Sequence, residues 1–145
     1  RFMSMFDARD PTRSDRVTML KVGTRMVEAN PLAGVGPARV GDRYRDFLDP
    51  SEPNHVNPHL HNVPMQIAAE RGLPALAIWL WFVAVAARDL FGQLVRGPER
   101  GVAGAGAAAL VAMLAAGLFE YNFGDSEFLM LFLVLVTLPY AHRAD

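Results

Sequence analysis

The sequence predicts an all-α membrane protein, a fragment of a polytopic helical bundle with a mostly helical loop outside the membrane. Three observations carry this reading. To about Glu70 the chain is polar and rich in Arg, Asp and Pro, whereas from Leu73 to Ala141 it is mostly Leu, Ala, Val, Phe and Trp. Such a half is too apolar for an ordinary core and reads as membrane-spanning. Only two polar stretches interrupt it, leaving three apolar runs, and the charges at those interruptions are sorted by sign, as membrane connections are. The expected division is a loop region at 1–62 and a membrane region at 63–145, with spans at about 63–87, 101–119 and 126–142.

Composition excludes several function classes. The formal net charge is −1 and the arginines are interspersed with acids, so a nucleic-acid partner is not expected. The chain has no cysteine, which excludes disulfides, thiolate metal sites and cysteine nucleophiles. It opens on Arg1 without a signal peptide, and a piece of a longer membrane protein is expected.

Residues 1–13 show no period and read as a loop. A helix follows, with Ser14 or Asp15 as its cap, Val17, Leu20, Thr24 and Val27 at helical spacing, and Asn30-Pro31 as its stop. Arg16 then falls in the first turn, the unfavourable end for a cation by a few tenths to ~1 kcal/mol. Asp10 or Asp15 can neutralise it; alternatively, Arg16 and the free N–H groups of a helix start address the oxygens of one anion. In Asn30-Pro31-Leu32-Ala33-Gly34-Val35-Gly36-Pro37 two glycines and two prolines impose turns, and Gly34-Val35-Gly36 lacks the third glycine of a nucleotide loop. A short helix is expected around residues 42–48, then an irregular Pro-rich passage.

Helix-start signals concentrate next. Asn57 with Pro58 and Asn62 with Pro64 each suit a first turn, so one pair begins a helix and the other marks a bend. From Val63 the helix opens amphipathic, with Gln66, Glu70 and Arg71 polar, and turns apolar after Gly72. The run 73–87 is uncharged and carries Trp79, Trp81 and Phe82. Polar residues 88–100 connect it to the apolar run 101–119, where Gly104, Ala108, Ala112 and Ala116 place small side chains on one face for another helix to approach. Residues 120–127 are acidic, and a third run ends near Pro139. Arg88, Arg96 and Arg100 in the first connection, and Arg143 after the last run, put those segments in the cytoplasm; 120–127 and residues 1–72 then face outward.

Three histidines, His55, His59 and His61, stand within seven residues. A helix would join His55 and His59, but Pro58 opposes one, and His61 would point about 200° away from His59. No carboxylate or cysteine completes a metal set. No metal or other cofactor is therefore expected. His55 and His59 read as solvated or capping residues, whereas His61 stands at the mouth of a membrane helix, where a neutral imidazole can take a proton from a sugar hydroxyl.

The run His61-Asn62, nine residues, then Gly72 resembles the signature of the O-antigen ligase and O-antigen polymerase family; Ala75 stands where that family often has Gly. Ser14-Asp15-Arg16-Val17, the segment from Asn30 to Pro37 and Phe119-Glu120-Tyr121-Asn122-Phe123 match in order. The resemblance implies a multi-pass glycosyltransferase of the bacterial inner membrane, with a mostly helical periplasmic loop. It implies an undecaprenyl-pyrophosphate-linked glycan as donor and, as acceptor, lipid A-core, another glycan or a protein, in cell-envelope and lipopolysaccharide synthesis. Carried over, His61 is the base for the acceptor hydroxyl and Arg16 holds the pyrophosphate. A second arginine is expected upstream, so the chain alone is expected to be inactive. Arg39, with Arg43 and Arg45, either gathers anionic lipid or sugar or is solvated surface charge. Asn62 either orients His61 or caps the helix. The rival classes are a transporter or flippase segment, in which Arg16 and His61 bind lipid phosphate without chemistry, and a non-catalytic scaffold that recruits partners through its small-residue face.

Overall fold

A computed structural model of the chain describes residues 11–53 and 55–141. Among the described residues five helices follow in order: α1 (Pro11–Ala29), α2 (Val40–Arg43) running into a 3₁₀ turn (Tyr44–Phe47), α3 (Val63–Arg96), α4 (Arg100–Gly117) and, after a 3₁₀ turn (Asn122–Gly124), α5 (Ser126–Ala141). No strand occurs among the described residues. The all-α expectation holds. α3, with 34 residues, and α4, with 18, are long and apolar enough to cross a membrane, and α5, with 16, is apolar but shorter. The chain divides into two compact units, residues 1–76 and 77–145, with the boundary inside α3.

In the first unit α1 begins earlier than the sequence suggested. Pro11 is the first of its described residues. Ser14 and Asp15 therefore lie within α1 and do not cap it, and Arg16 is beyond its first turn. The expected loop at 1–13 otherwise concerns residues outside the described ones. The buried stripe also differs. Met19, Val22 and Met26 enter the core, whereas Val17, Leu20 and Thr24 are exposed. Both rows have helical spacing, so periodicity alone did not choose between them. The core is completed by Val40, Tyr44, Leu60 and Ala69.

The segment 30–36 is built onto α3 at a kink. Gly72 has φ 81° and ψ 173°, and Pro74 has no N–H. In an unbroken helix the carbonyls of Ala69 and Glu70 would serve the nitrogens of residues 73 and 74. Instead they accept from the N–H groups of Val35 at 2.8 Å and Gly36 at 3.0 Å, while the Leu73 N–H donates to the Pro31 carbonyl at 2.8 Å. These three polar groups at the kink thus find partners in the turn. Gly34 (φ 67°) abuts the Glu70 backbone and Gly72 abuts that of Leu32, leaving no room for a Cβ at either position.

In the second unit α3 runs on past Ala87 to Arg96, so most of the expected polar connection 88–100 is helix and the break is Gly97-Pro98-Glu99. Gly97 closes α3 by donating its N–H to the Gln93 carbonyl at 2.7 Å. The core joins Ala86 and Leu90 of α3, Ala107, Leu110 and Met113 of α4, and Phe132 and Val136 of α5. Of the expected small-residue face, Ala108, Ala112 and Ala116 are exposed. The close approach instead uses Gly106, where a Cβ would lie 2.9 Å from Leu90 Cδ2 and 3.0 Å from the Leu135 carbonyl. Asp125 opens α5, accepting from the N–H groups of Glu127 and Phe128.

Candidate functional site

Of the two helix-start pairs, the second begins α3. Asn62 caps it: its Oδ1 accepts from the Met65 N–H at 2.9 Å, and its carbonyl accepts from the Gln66 N–H at 2.8 Å. The stretch from Asn57 to His61 is a bend, pressed between two elements that glycines bring close. At Gly23 of α1 a Cβ would lie 2.7 Å from Met65 Cγ and 2.8 Å from Leu60 Cδ1; at Gly41 of α2 it would lie 3.1 Å from the Pro58 Cα. Leu60 is the buried anchor of the bend.

His61 takes φ 45°, a left-handed conformation unusual for a residue with a side chain. The consequence corrects the expectation that proline separates the histidines. With residues 59 and 61 in a bend rather than a helix, the two rings meet edge to face, their centroids 4.3 Å apart at 65°. His55 is exposed on the Pro-rich approach. Among the described residues no group of three or more His, Cys, Asp or Glu side chains is arranged to hold a metal ion.

Beneath the bend lies a polar chain that sequence reasoning missed. The Leu60 N–H donates to Gln66 Oε1 at 2.7 Å, Gln66 Nε2 donates to Glu70 Oε1 at 2.8 Å, and Arg71 Nη1 donates to Glu70 Oε2 at 2.8 Å. Gln66 is 1 % exposed and Glu70 3 %. The expected amphipathic opening of α3 therefore turns Arg71 to solvent but not Gln66 or Glu70. Their spacing of four residues was the available signal.

Arg16 is exposed on α1. It stands seven residues before Gly23 and three before Met19, so it continues the stripe that faces Leu60, ~10 Å along the axis from Gly23. Its placement beyond the first turn removes the free N–H groups invoked for an anion site. Arg39, also exposed, precedes α2 beside Gly36 and two residues before the contact of Gly41 with Pro58. Both arginines are thus carried by elements that pack on the bend. Asn62, Pro64, Met65 and Ala68 also line a hollow of about 270 Å³ with Thr24 and Val27 of α1.

A second missed feature fixes the Pro-rich passage. Arg25 grips Glu52 through Nη1 at 2.8 Å and Nη2 at 3.1 Å, and also donates to the Phe47 carbonyl. Lys21 lies 3.5 Å from the same carboxylate. The Arg25 hydrogen bonds hold the Glu52 carboxyl down at about 2, and the bond to Glu52 raises Arg25. Hydrogen bonds from Ser51 lower Asp49, and burial pushes the Tyr44 hydroxyl up, beside Asn57.

The sequence profile of a family described as O-antigen ligase matches residues 1–80, just over half of the 145 residues. The chain belongs to the O-antigen ligase family. The match takes in α1, the turn at 30–36, the histidine bend and the kink at Gly72. The resemblance seen at Phe119–Phe123 lies outside it. Comparisons with curated proteins and with solved structures return no match. In this O-antigen ligase family member the signature glycine has a physical role. Gly72 takes a backbone conformation closed to other residues and lets the turn at 30–36 seal the end of the helix that starts at the histidine.

Proposed function

We propose that this chain carries part of the active site of an inner-membrane glycosyltransferase that moves a glycan from undecaprenyl pyrophosphate to an acceptor, lipid A-core in the ligase reading, at the periplasmic face. The observation that carries the proposal is His61. It lies within the family-matched region, in a left-handed bend whose neighbours impose that conformation, directly before a membrane-length helix.

In this reading an imidazole nitrogen of His61 takes the proton of the acceptor hydroxyl as its oxygen bonds the anomeric carbon. The bond from that carbon to the pyrophosphate oxygen breaks, and undecaprenyl pyrophosphate leaves with both electrons of the bond. Arg16 meets the charge that develops on the diphosphate, as preorganised cations do, and Arg39 adds to the positive field. Asn62 supports the site as the cap of α3. The periplasmic placement of residues 1–72 and the cytoplasmic placement of the C-terminus follow from the arginine bias of the connections.

The test is His61→Ala in the full-length enzyme, with transfer from a polyprenyl-pyrophosphate-linked glycan to lipid A-core measured in membranes. Transfer should fall by at least about 100-fold with membrane insertion unchanged. Transfer near the wild-type rate would overturn the assignment. Movement of the glycan across the membrane with its link to the carrier intact would favour a flippase instead.

A further inference from the structure

The left-handed backbone at His61 persists only because its neighbours impose it, and one residue acts on both sides of it. The Gln66 N–H donates to the Asn62 carbonyl, after His61, at 2.8 Å. The Gln66 side chain accepts the Leu60 N–H, before His61, at 2.7 Å. Gln66 therefore straddles the bend. Its amide must present oxygen to Leu60 and nitrogen away from it. Glu70 enforces that choice, because a carboxylate there can only accept, and it accepts from Gln66 Nε2. Arg71 Nη1 occupies the other Glu70 oxygen at 2.8 Å.

We propose that Gln66, locked by Glu70, is the positioning residue that fixes the orientation of His61 for proton transfer. The proposal rests on His61 being the base. It assigns a task to two nearly fully buried polar side chains at the start of a membrane helix, where a hydrophobic pair would fill the space without a network to satisfy.

The experiment uses the full-length enzyme with the same donor and acceptor, and compares Gln66→Ala, Gln66→Glu and the exchange Gln66→Glu/Glu70→Gln. The exchange keeps an acceptor for the Leu60 N–H and one amide-to-carboxylate bond between positions 66 and 70. Gln66→Ala should lower kcat by about 10- to 100-fold, with donor KM changed by less than about twofold, because misplacing a base costs rate rather than binding. Gln66→Glu should be comparably impaired by two abutting carboxylates, and the exchange should return to within about threefold of wild type. A folded Gln66→Ala enzyme working within about threefold of wild type, or an exchange variant no better than Gln66→Glu, would overturn the proposal. If Gln66→Ala does not fold, the comparison of Gln66→Glu with the exchange decides alone. Modification of His61 by diethyl pyrocarbonate, mapped by mass spectrometry, separates this inference from the reading beneath it. Its rate should shift at least about threefold in Gln66→Ala and recover in the exchange, whatever His61→Ala does to transfer; an unchanged rate overturns the positioning role.

Discussion

A two-bond ionic contact in the first unit joins single residues far apart in sequence, Arg25 and Glu52. Glu52 is nearly buried, 8 % exposed, and receives two bonds from one guanidinium, which is why its carboxyl is held at about 2 instead of 4.5. Because the folded-state value is depressed, the pair's contribution is complete above 4.5 and is lost as pH falls towards about 2. The difference in unfolding midpoint between wild type and Glu52→Gln should therefore be full at neutral pH and shrink to nothing across that window, as read by thermal melts at stepped pH. A difference that stays constant down to about pH 2 would mean that Glu52 acts by shape rather than charge. The contact also marks what one chain of letters conceals. His61 stood out because its type, its position before an apolar run and the glycine eleven residues on all lie in local sequence. Arg25 and Glu52 have no local signature, and Gln66 and Glu70 read as the solvated face of a helix because nothing nearby says that Leu60 needs an acceptor.

At the level of the element, the sequence located helices better than it located their faces. The end of α1 at Asn30 follows local turn chemistry, whereas α3 runs on to Gly97-Pro98, well past the expected end at 87. The face of α1 that enters the core depends on Gly23 meeting Leu60 and Met65, a contact between distant residues. The expected span 63–87 ran unbroken through Gly72 and Pro74, where α3 kinks, and the kink's stability depends on the N–H groups of Val35 and Gly36 arriving from another segment. In α4 Gly104 and Gly106 make the same point and can be set against each other. A methyl at Gly106 would meet a backbone carbonyl of α5 at 3.0 Å, whereas one at Gly104 would meet only the flexible Leu94 Cδ1 at 3.4 Å. Gly106→Ala should destabilise the helix pair by about 1–3 kcal/mol, and Gly104→Ala should be neutral or stabilise by up to about 1 kcal/mol through helix propensity. Unfolding in mild detergent measures both. Equal sensitivity would place the helix contact on the small-residue row that the sequence suggested.

For the whole molecule the remaining question is which way the helices cross. α4, at 18 residues and ~1.5 Å per residue, is ~27 Å long, close to the hydrocarbon thickness of ~30 Å, so it is long enough for its two ends to reach opposite membrane surfaces. Arg96 and Arg100 flank the break before it, and Glu120, Asp125 and Glu127 follow it without any Lys or Arg. From the arginine bias we propose that the break at Gly97–Glu99 faces the cytoplasm. With α3 and α4 each crossing once, the same proposal puts the histidine bend on the outer side, where the proposed chemistry requires it. The absence of cysteine makes this directly testable in the chain itself. In the full-length protein, with any cysteine elsewhere replaced, Glu127→Cys should react with a membrane-impermeant maleimide added to cells whose outer membrane has been permeabilised. Glu99→Cys should react only after the inner membrane is opened. The reverse pattern would move His61 to the cytoplasm and, with it, refute a periplasmic transfer site, even if His61 and Gln66 proved essential to activity.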